Sequence, residues 1–428
     1  PPAPAAQPAG PASRITGDAS WEAYSLADPP NRGHVDLSPV LPSPRPVWPL
    51  GLLIYLSGDS QTRLTLQFRK QERVSFTVGE LEGAPARFQG GAVEAERLPR
   101  LDRVGGDGGE ADHPSVCLAP DGTVWVAWQE YQDAGERVLA RRFANGAWGE
   151  TLAVSEKGDI FKTAVAEAGG SGLWVVWAAR DSADWHLWGR RFDGRGWSEL
   201  EKLSTTPGPN FNHQLASGRQ GRLWLVWQGF DGGQSDIFLR IYDNGRWGPS
   251  TRISEGRAND WQPSVAVAGA GRAWIAWDTY TPASQSVGAS YDVMVRSFQD
   301  GKLSPVLPLA ASPRMEAHAS LATDSRGRLW VAWDEAGENW GKDWGFLSKD
   351  RGIGLYMTRR LRVACLDGDR VLEPEEDLQA ALPPEMQTHS SLPSVLAGED
   401  GRVWVVFRYL AGARTRTADF WGANGGWE

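Results

Sequence analysis

Cysteine is almost missing from this chain: Cys117 and Cys365 are the only two in 428 residues. They fall on different strand types of distant repeats, so the expectation is two buried free thiols rather than a disulfide framework. A basic excess is also missing. The 53 acidic and 44 basic residues leave a formal charge of −9, which argues against a general nucleic-acid surface. No apolar run is long enough to span a bilayer as a helix; "VWPLGLLIYL" at 47–56 is too short and reads as a buried strand. His-Glu-x-x-His, Cys-x-x-Cys and the phosphate-cradling Gly-Lys-Ser/Thr motif are absent, so no cofactor is expected. "DGGQSD" at 231–236 is the one candidate calcium loop, and it lacks the full alternating acidic pattern.

Glycine and tryptophan, by contrast, are abundant, at 50 and 23 residues, against only 4 methionines. That balance points to a turn-rich all-β protein. The opening "PPAPAAQPAGPAS" buries too little surface to fold and is similar to the linker that follows a removed export signal, so residues 1–18 are read as a disordered linker. A secreted or periplasmic location is the matching expectation.

Trp-x-x-Trp runs recur in "VWVAW", "LWVVW", "LWLVW", "AWIAW" and "LWVAW", with Phe407 replacing the second Trp in a sixth copy. Their first tryptophans are Trp125, Trp174, Trp224, Trp274, Trp330 and Trp404, and the first three spacings are 49, 50 and 50 residues. Nine residues before each stands an aliphatic residue, in order Val116, Val165, Leu215, Val265, Leu321 and Val395. A strand, a Gly-containing turn, the Trp strand, a third strand such as "FLRIY" and a fourth such as "WGPSTRIS" make one repeat. Four antiparallel strands per 50 residues with no helix between is the sequence form of a β-propeller blade. Side chains three apart in a strand point to opposite faces, so both tryptophans can be buried between neighbouring blades.

Seven blades are expected, with six as the alternative: six regular repeats over about 109–428 and a degenerate first blade over about 46–108. The propeller then spans 19–428, and "ASWEAYSLA" at 19–27 can supply an outer strand that completes the last blade and closes the ring.

At this point the chain resembles the sialidase-like group of Trp-rich bacterial propellers, whose repeats carry a Gly turn followed by an aromatic strand. The "APDGTVW" and "TDSRGRLW" segments depart from that group's Asp-box spacing around Asp121 and Asp324. The resemblance implies, as one reading, a glycan-binding lectin or a glycoside hydrolase.

Candidate binding residues follow from the repeat. In a meander, the loop into the first strand and the loop between the second and third strands open on one face, around the channel mouth. Three residues before each aligned aliphatic position stand His113, Lys162, Asn212, Gln262, His318 and Leu392, and beside them the aromatics Phe161, Phe211 and Trp261. His213 falls near the same mouth. The longest loops on this face, 278–292 and 334–355, add Asp278, Tyr280, Asp334, Trp340 and Trp344. Arg141, Arg190, Arg240, Arg296 and Arg359 are read as recurring at one place in every repeat, which fits structural ion pairs or snorkelling stems better than a catalytic triad.

The functional expectation is a non-catalytic extracytoplasmic module that meets another protein or a multi-subunit assembly through this loop face. The alternative is a sialidase-like glycan-binding or glycan-cleaving protein. The distinguishing feature of an enzyme would be a charged pocket at the channel mouth on which Arg and carboxylate groups converge.

Overall fold

The computed structural model describes the backbone of eight short strands within residues 13–95. It also describes residues 104–409 apart from 107–108, 170–171, 182–183, 270, 282–289, 338–358, 375–376, 383–386, 388–389 and 399–400. The chain divides into two compact units, 1–103 with 380–384, and 104–379 with 385–428.

In the smaller unit, Ser13–Thr16, at the end of the Ala/Pro-rich segment, is a central strand. It pairs antiparallel with Gly51–Leu52 on one side and Ala92–Ala95 on the other, and Ala92–Ala95 pairs in turn with Ala86–Arg87. Glu22–Tyr24 pairs with His34–Asp36, and Arg63–Gln67 with Arg73–Thr77.

The larger unit is all-β, with a 3-10 turn at Arg219–Gly221; the α-helical turn found among the described residues, Leu378–Ala381, falls where the chain passes from one unit to the other. Its first sheet is the meander Glu110–Leu118, Val124–Tyr131, Glu136–Ala144 and Ala147–Ala153. The second runs Ile160–Glu167, Leu173–Arg180, Trp185–Phe192, Glu201–Lys202, and the third Asn210–Ser217, Leu223–Asp231, Gln234–Asp243, Arg246–Arg252. The fourth comprises Asn259–Val267, Ala273–Thr281 and Ser290–Gln299, with Lys302–Leu303 and Leu307–Ala310 both pairing the third strand. The fifth is Glu316–Thr323, Leu329–Glu335, Arg360–Asp367 and Arg370–Leu372. Two described strands, Ser390–Ala397 and Val403–Tyr409, make the sixth. Consecutive four-stranded antiparallel sheets of this kind are a propeller-like architecture.

The first strands adjoin one another from sheet to sheet. Thr163 Oγ1 donates to the His113 carbonyl at 2.8 Å, the Val165 N–H to Ser115 Oγ at 3.1 Å, and the Val395 N–H to Ser320 Oγ at 3.0 Å. The tryptophan pair explains how the sheets pack. Trp125 shares a buried cluster with Trp177, Trp174 with Trp227, and Trp224 with Trp277, while Trp274 packs against the cluster that holds Trp333. The first tryptophan of one sheet therefore meets the second tryptophan of the next. Each ring removes on the order of 150–250 Å² from water, which fills the space that opens between twisted sheets. In the "Gly-Arg-x-Trp" repeats an arginine covers the outer end of the first ring, with Arg222, Arg272, Arg328 and Arg402 lying 5.4–5.8 Å from the ring centres. Cys365 is buried and Cys117 half-buried, both as free thiols, and burial pushes the Cys117 thiol up to about 12.

Candidate active site

Every first strand carries the same irregularity. His113, Lys162, Asn212, Gln262, His318 and Leu392 all have left-handed backbone, with φ between 46° and 60°. At each the pairing with the Trp strand slips by one residue, opposite the second aromatic of the Trp-x-x-Trp run. These are β-bulges, and non-glycine residues hold such a conformation only when their surroundings over-determine it.

The surroundings are supplied by the preceding sheet. The bulge N–H of Lys162 donates to Gln129 Oε1 at 3.0 Å, that of Gln262 to Gln228 Oε1 at 3.4 Å, and that of His318 to both Asp278 carboxylate oxygens at 3.0 Å. Gln129, Gln228 and Asp278 all stand directly after the second tryptophan of their strands. Asn212 follows the sheet that has Ala178 at that place, and its Nδ2 donates instead to Gln228 of its own sheet at 2.9 Å.

In the fourth and fifth sheets this clasp becomes charged. His318 Nδ1 lies 2.6 Å from Asp334 Oδ1, and Asp334 Oδ2 accepts from Arg359 Nη1 at 2.8 Å. With Arg359 donating to the other oxygen of the same carboxylate, Asp334 Oδ1 is the acceptor of this pair, so Nδ1 carries the proton and Nε2 is the ring nitrogen that neutral His318 can offer to another group. Burial alone would lower the His318 pKa. The charge and hydrogen bond of Asp334, joined by the charge of Asp278, outweigh it and hold the imidazole above its ordinary value, with Arg359 opposing. Burial raises the Asp278 carboxyl to about 7, against the stabilising charge and backbone N–H of His318. Tyr291, whose hydroxyl pKa is raised by burial and by the nearby Tyr280 and Asp278, packs on Tyr280 with ring centres 5.0 Å apart.

The other predicted residues are spread over the same end of the sheets. Phe161, Phe211 and Trp261 each precede a bulge residue. Phe161 meets His113 edge-on at 4.9 Å, and Phe230 bridges Phe211 at 6.2 Å and Trp261 at 6.1 Å. Lys162 is half-buried, and burial brings its amine down to about 8. The neighbouring His213 is fully buried, held by Nε2 against the Val176 carbonyl at 3.1 Å, and falls to about 3 through burial and the charge of Lys162. Gln262 is exposed. Trp340 and Trp344 lie outside the described residues. In the candidate calcium loop, Asp236 accepts from Arg252 at 2.6 Å and from Gln234 and Ser254 at 3.0 Å.

The arginine series separates into two kinds. Arg141, Arg190, Arg240 and Arg296 occupy one register opposite the residue after the first tryptophan. Arg141, Arg240 and Arg296 reach back to the carbonyls of Val104, Leu203 and Ile253 at 2.7–3.1 Å, as structural staples. Arg359 does not belong to this series, because Ala364 fills that register in the fifth sheet. It stands at the opposite end of its strand, beside Asp334. The long segment before it shifts the sequence alignment, and the strand register was the signal that would have set it apart.

No protein-family model matches this chain, and no curated protein matches it. Solved structures do. A polysaccharide lyase of family PL25, an ulvan lyase, aligns over 71% of this chain and 79% of its own at 11% identity, with a TM-score of 0.51. The same enzyme bound to -[GlcA(1-4)Rha3S]- gives 10% identity, the same coverage and a TM-score of 0.51. An α-L-arabinanase of Penicillium chrysogenum complexed with arabinobiose aligns over 69% of this chain and 92% of its own at 13% identity, with a TM-score of 0.43. At these identities the likeness is one of fold.

The comparison corrects the functional expectation. The fold that this chain shares with a TM-score above 0.5 is that of a polysaccharide lyase, and the reading as a non-catalytic interaction or assembly module is corrected on that likeness. At the same strand ends an arginine, two carboxylates and a histidine converge as buried groups. No helix among the described residues is long and apolar enough to cross a membrane.

Proposed function

We propose that the chain is a carbohydrate-active enzyme in which His318 transfers a proton to or from a glycan. The observation that carries this reading is the buried relay Arg359–Asp334–His318, at 2.8 and 2.6 Å. Asp334 fixes the ring orientation and leaves Nε2 to do the chemistry. As imidazolium, His318 can protonate the leaving oxygen of a glycosidic bond; as neutral imidazole, it can remove a proton from water or from the sugar. Asp334 has one of these two partners on each carboxylate oxygen and serves as a positioning residue. Asp278, through the bulge N–H, fixes the backbone that carries the ring. His113, Lys162, Asn212 and Gln262 hold the corresponding bulge positions on the other sheets.

The likeness to a polysaccharide lyase fold supports the substrate class. The finer readings belong to the same proposal: sialidase-type repeats, seven blades with 46–108 as the degenerate one, a ring closed by an N-terminal strand, and export, which suits a polymeric substrate. Apolar side chains exposed at the two ends of the sheet series, Val116 and Leu118 on the first sheet and Leu396, Trp404 and Val406 on the last, support a closing element.

The test is turnover of a polysaccharide panel, following new reducing ends and, separately, the ultraviolet absorbance of unsaturated products. Substitution His318→Ala should lower turnover by about 10²–10⁴-fold with an unchanged circular dichroism spectrum. Turnover that survives His318→Ala would remove the assignment.

A further inference from the structure

A second feature of the same face lies apart from the His318 relay. A cleft of about 680 Å³ opens across the first three sheets, a volume suited to a ligand of several rings. Its walls are aromatic, with Tyr131, Phe161, Trp185 and Phe211, and its polar groups include Gln129, Glu136, Asp159 and Asn212. Gln129 and Glu136 are fixed by each other at 2.7 Å and by the backbone N–H groups of Lys162 and Ile160 at 3.0 and 2.8 Å, so the cleft is preformed. Among the described residues the lining holds two carboxylates and no lysine or arginine, and Arg180, which is not part of it, pairs with Asp159 at 3.9 Å. From Phe211 the aromatic path continues through Phe230 to Trp261 on the fourth sheet, at ring spacings of 6.2 and 6.1 Å.

We infer that this cleft is a binding track for an extended neutral glycan chain. Aromatic faces take the apolar faces of sugar rings, while carboxylate and carboxamide oxygens accept from their hydroxyl groups. The acidic lining disfavours a uronate or sulfate chain. The inference rests on the carbohydrate reading above and adds a substrate charge class and a separate site.

The experiment is affinity electrophoresis of the full chain in gels containing arabinan, xylan or soluble β-glucan, with polygalacturonate as the anionic comparison. At least one neutral polymer should retard the protein while polygalacturonate does not. Phe161 and Phe211 pack partly on the core, so the informative variants are at exposed positions. Tyr131→Ala and Asp159→Lys should each weaken retardation about tenfold, the loss of one good ring contact or of one charge-assisted hydrogen bond. His318→Ala should leave it unchanged. Retardation by polygalacturonate alone, by no polymer, or undiminished in both cleft variants overturns the track. Turnover that is lost in His318→Ala while binding is unaffected by the cleft variants keeps the catalytic reading and rejects this one; neutral-glycan binding without turnover does the reverse.

Discussion

The junction between the third and fourth sheets and the junction between the fourth and fifth use one device with different chemistry. In the first, a neutral amide, Gln228, accepts from the bulge N–H of Gln262. In the second, a carboxylate, Asp278, accepts from the bulge N–H of His318, and the imidazole there leans on Asp334 and Arg359. The backbone needs only an acceptor, and glutamine already provides one. A buried carboxylate adds a desolvation penalty with no structural return of its own. A repeat protein thus marks its chemistry by departing from its own repeat, and the departure is concentrated at residues 278, 318, 334 and 359.

Substitution at the charged junction should have the largest effect. Asp334→Ala removes the carboxylate from a buried ion pair with Arg359, and chemical denaturation should show a loss of about 3–5 kcal/mol. A loss below 1 kcal/mol, the range of an exposed pair, would show that the relay is not buried in solution.

The two acceptors should then differ in pH behaviour. The folded Asp278 pKa lies above the unfolded one, at about 7 against 3.8. Its contribution is therefore fully favourable below about pH 4 and is lost as pH rises through 7. His318, also raised, adds a loss across its own folded pKa above 6.5. Melting temperatures of Asp278→Asn, which keeps an acceptor for the bulge, should fall less between pH 4 and 7 than those of the parent chain. Gln228→Ala should cost about 1–3 kcal/mol by an equal amount at every pH in that window. Identical pH profiles for the Asp278→Asn variant and the parent would dissolve the distinction between the junctions.

The smallest effect is expected away from both. Arg328 covers Trp330 at 5.5 Å and binds Asp324 at 2.7 Å on the remote end of the fifth sheet. Arg328→Ala should lower stability by about 0.5–1 kcal/mol and leave turnover untouched.

Much of this frame was legible in the sequence. The 50-residue spacing and the period of two placed each tryptophan pair on opposite faces, and the packing of Trp174 on Trp227 and Trp224 on Trp277 follows from it. The polar position three residues before the aliphatic one was also visible. Its left-handed backbone was not, because Lys, Gln, His and Leu have no local preference for it, and only Asn212 does. That conformation is imposed by acceptors 33 to 40 residues away on another sheet. The Arg359–Asp334–His318 cluster was half visible. His318, Asp278 and Asp334 stood out individually, but their convergence with Arg359 depends on strand register across a long intervening segment.

The central claim is that Asp334 holds His318 as a proton-transfer group. The direct test is the pH titration of the His318 ring by nuclear magnetic resonance in the parent chain and in Asp334→Asn. A pKa above 6.5 in the parent that falls below it in the variant, where only the charge of Asp278 still opposes burial, is the predicted result. An unshifted pKa, the same in both proteins, would contradict it.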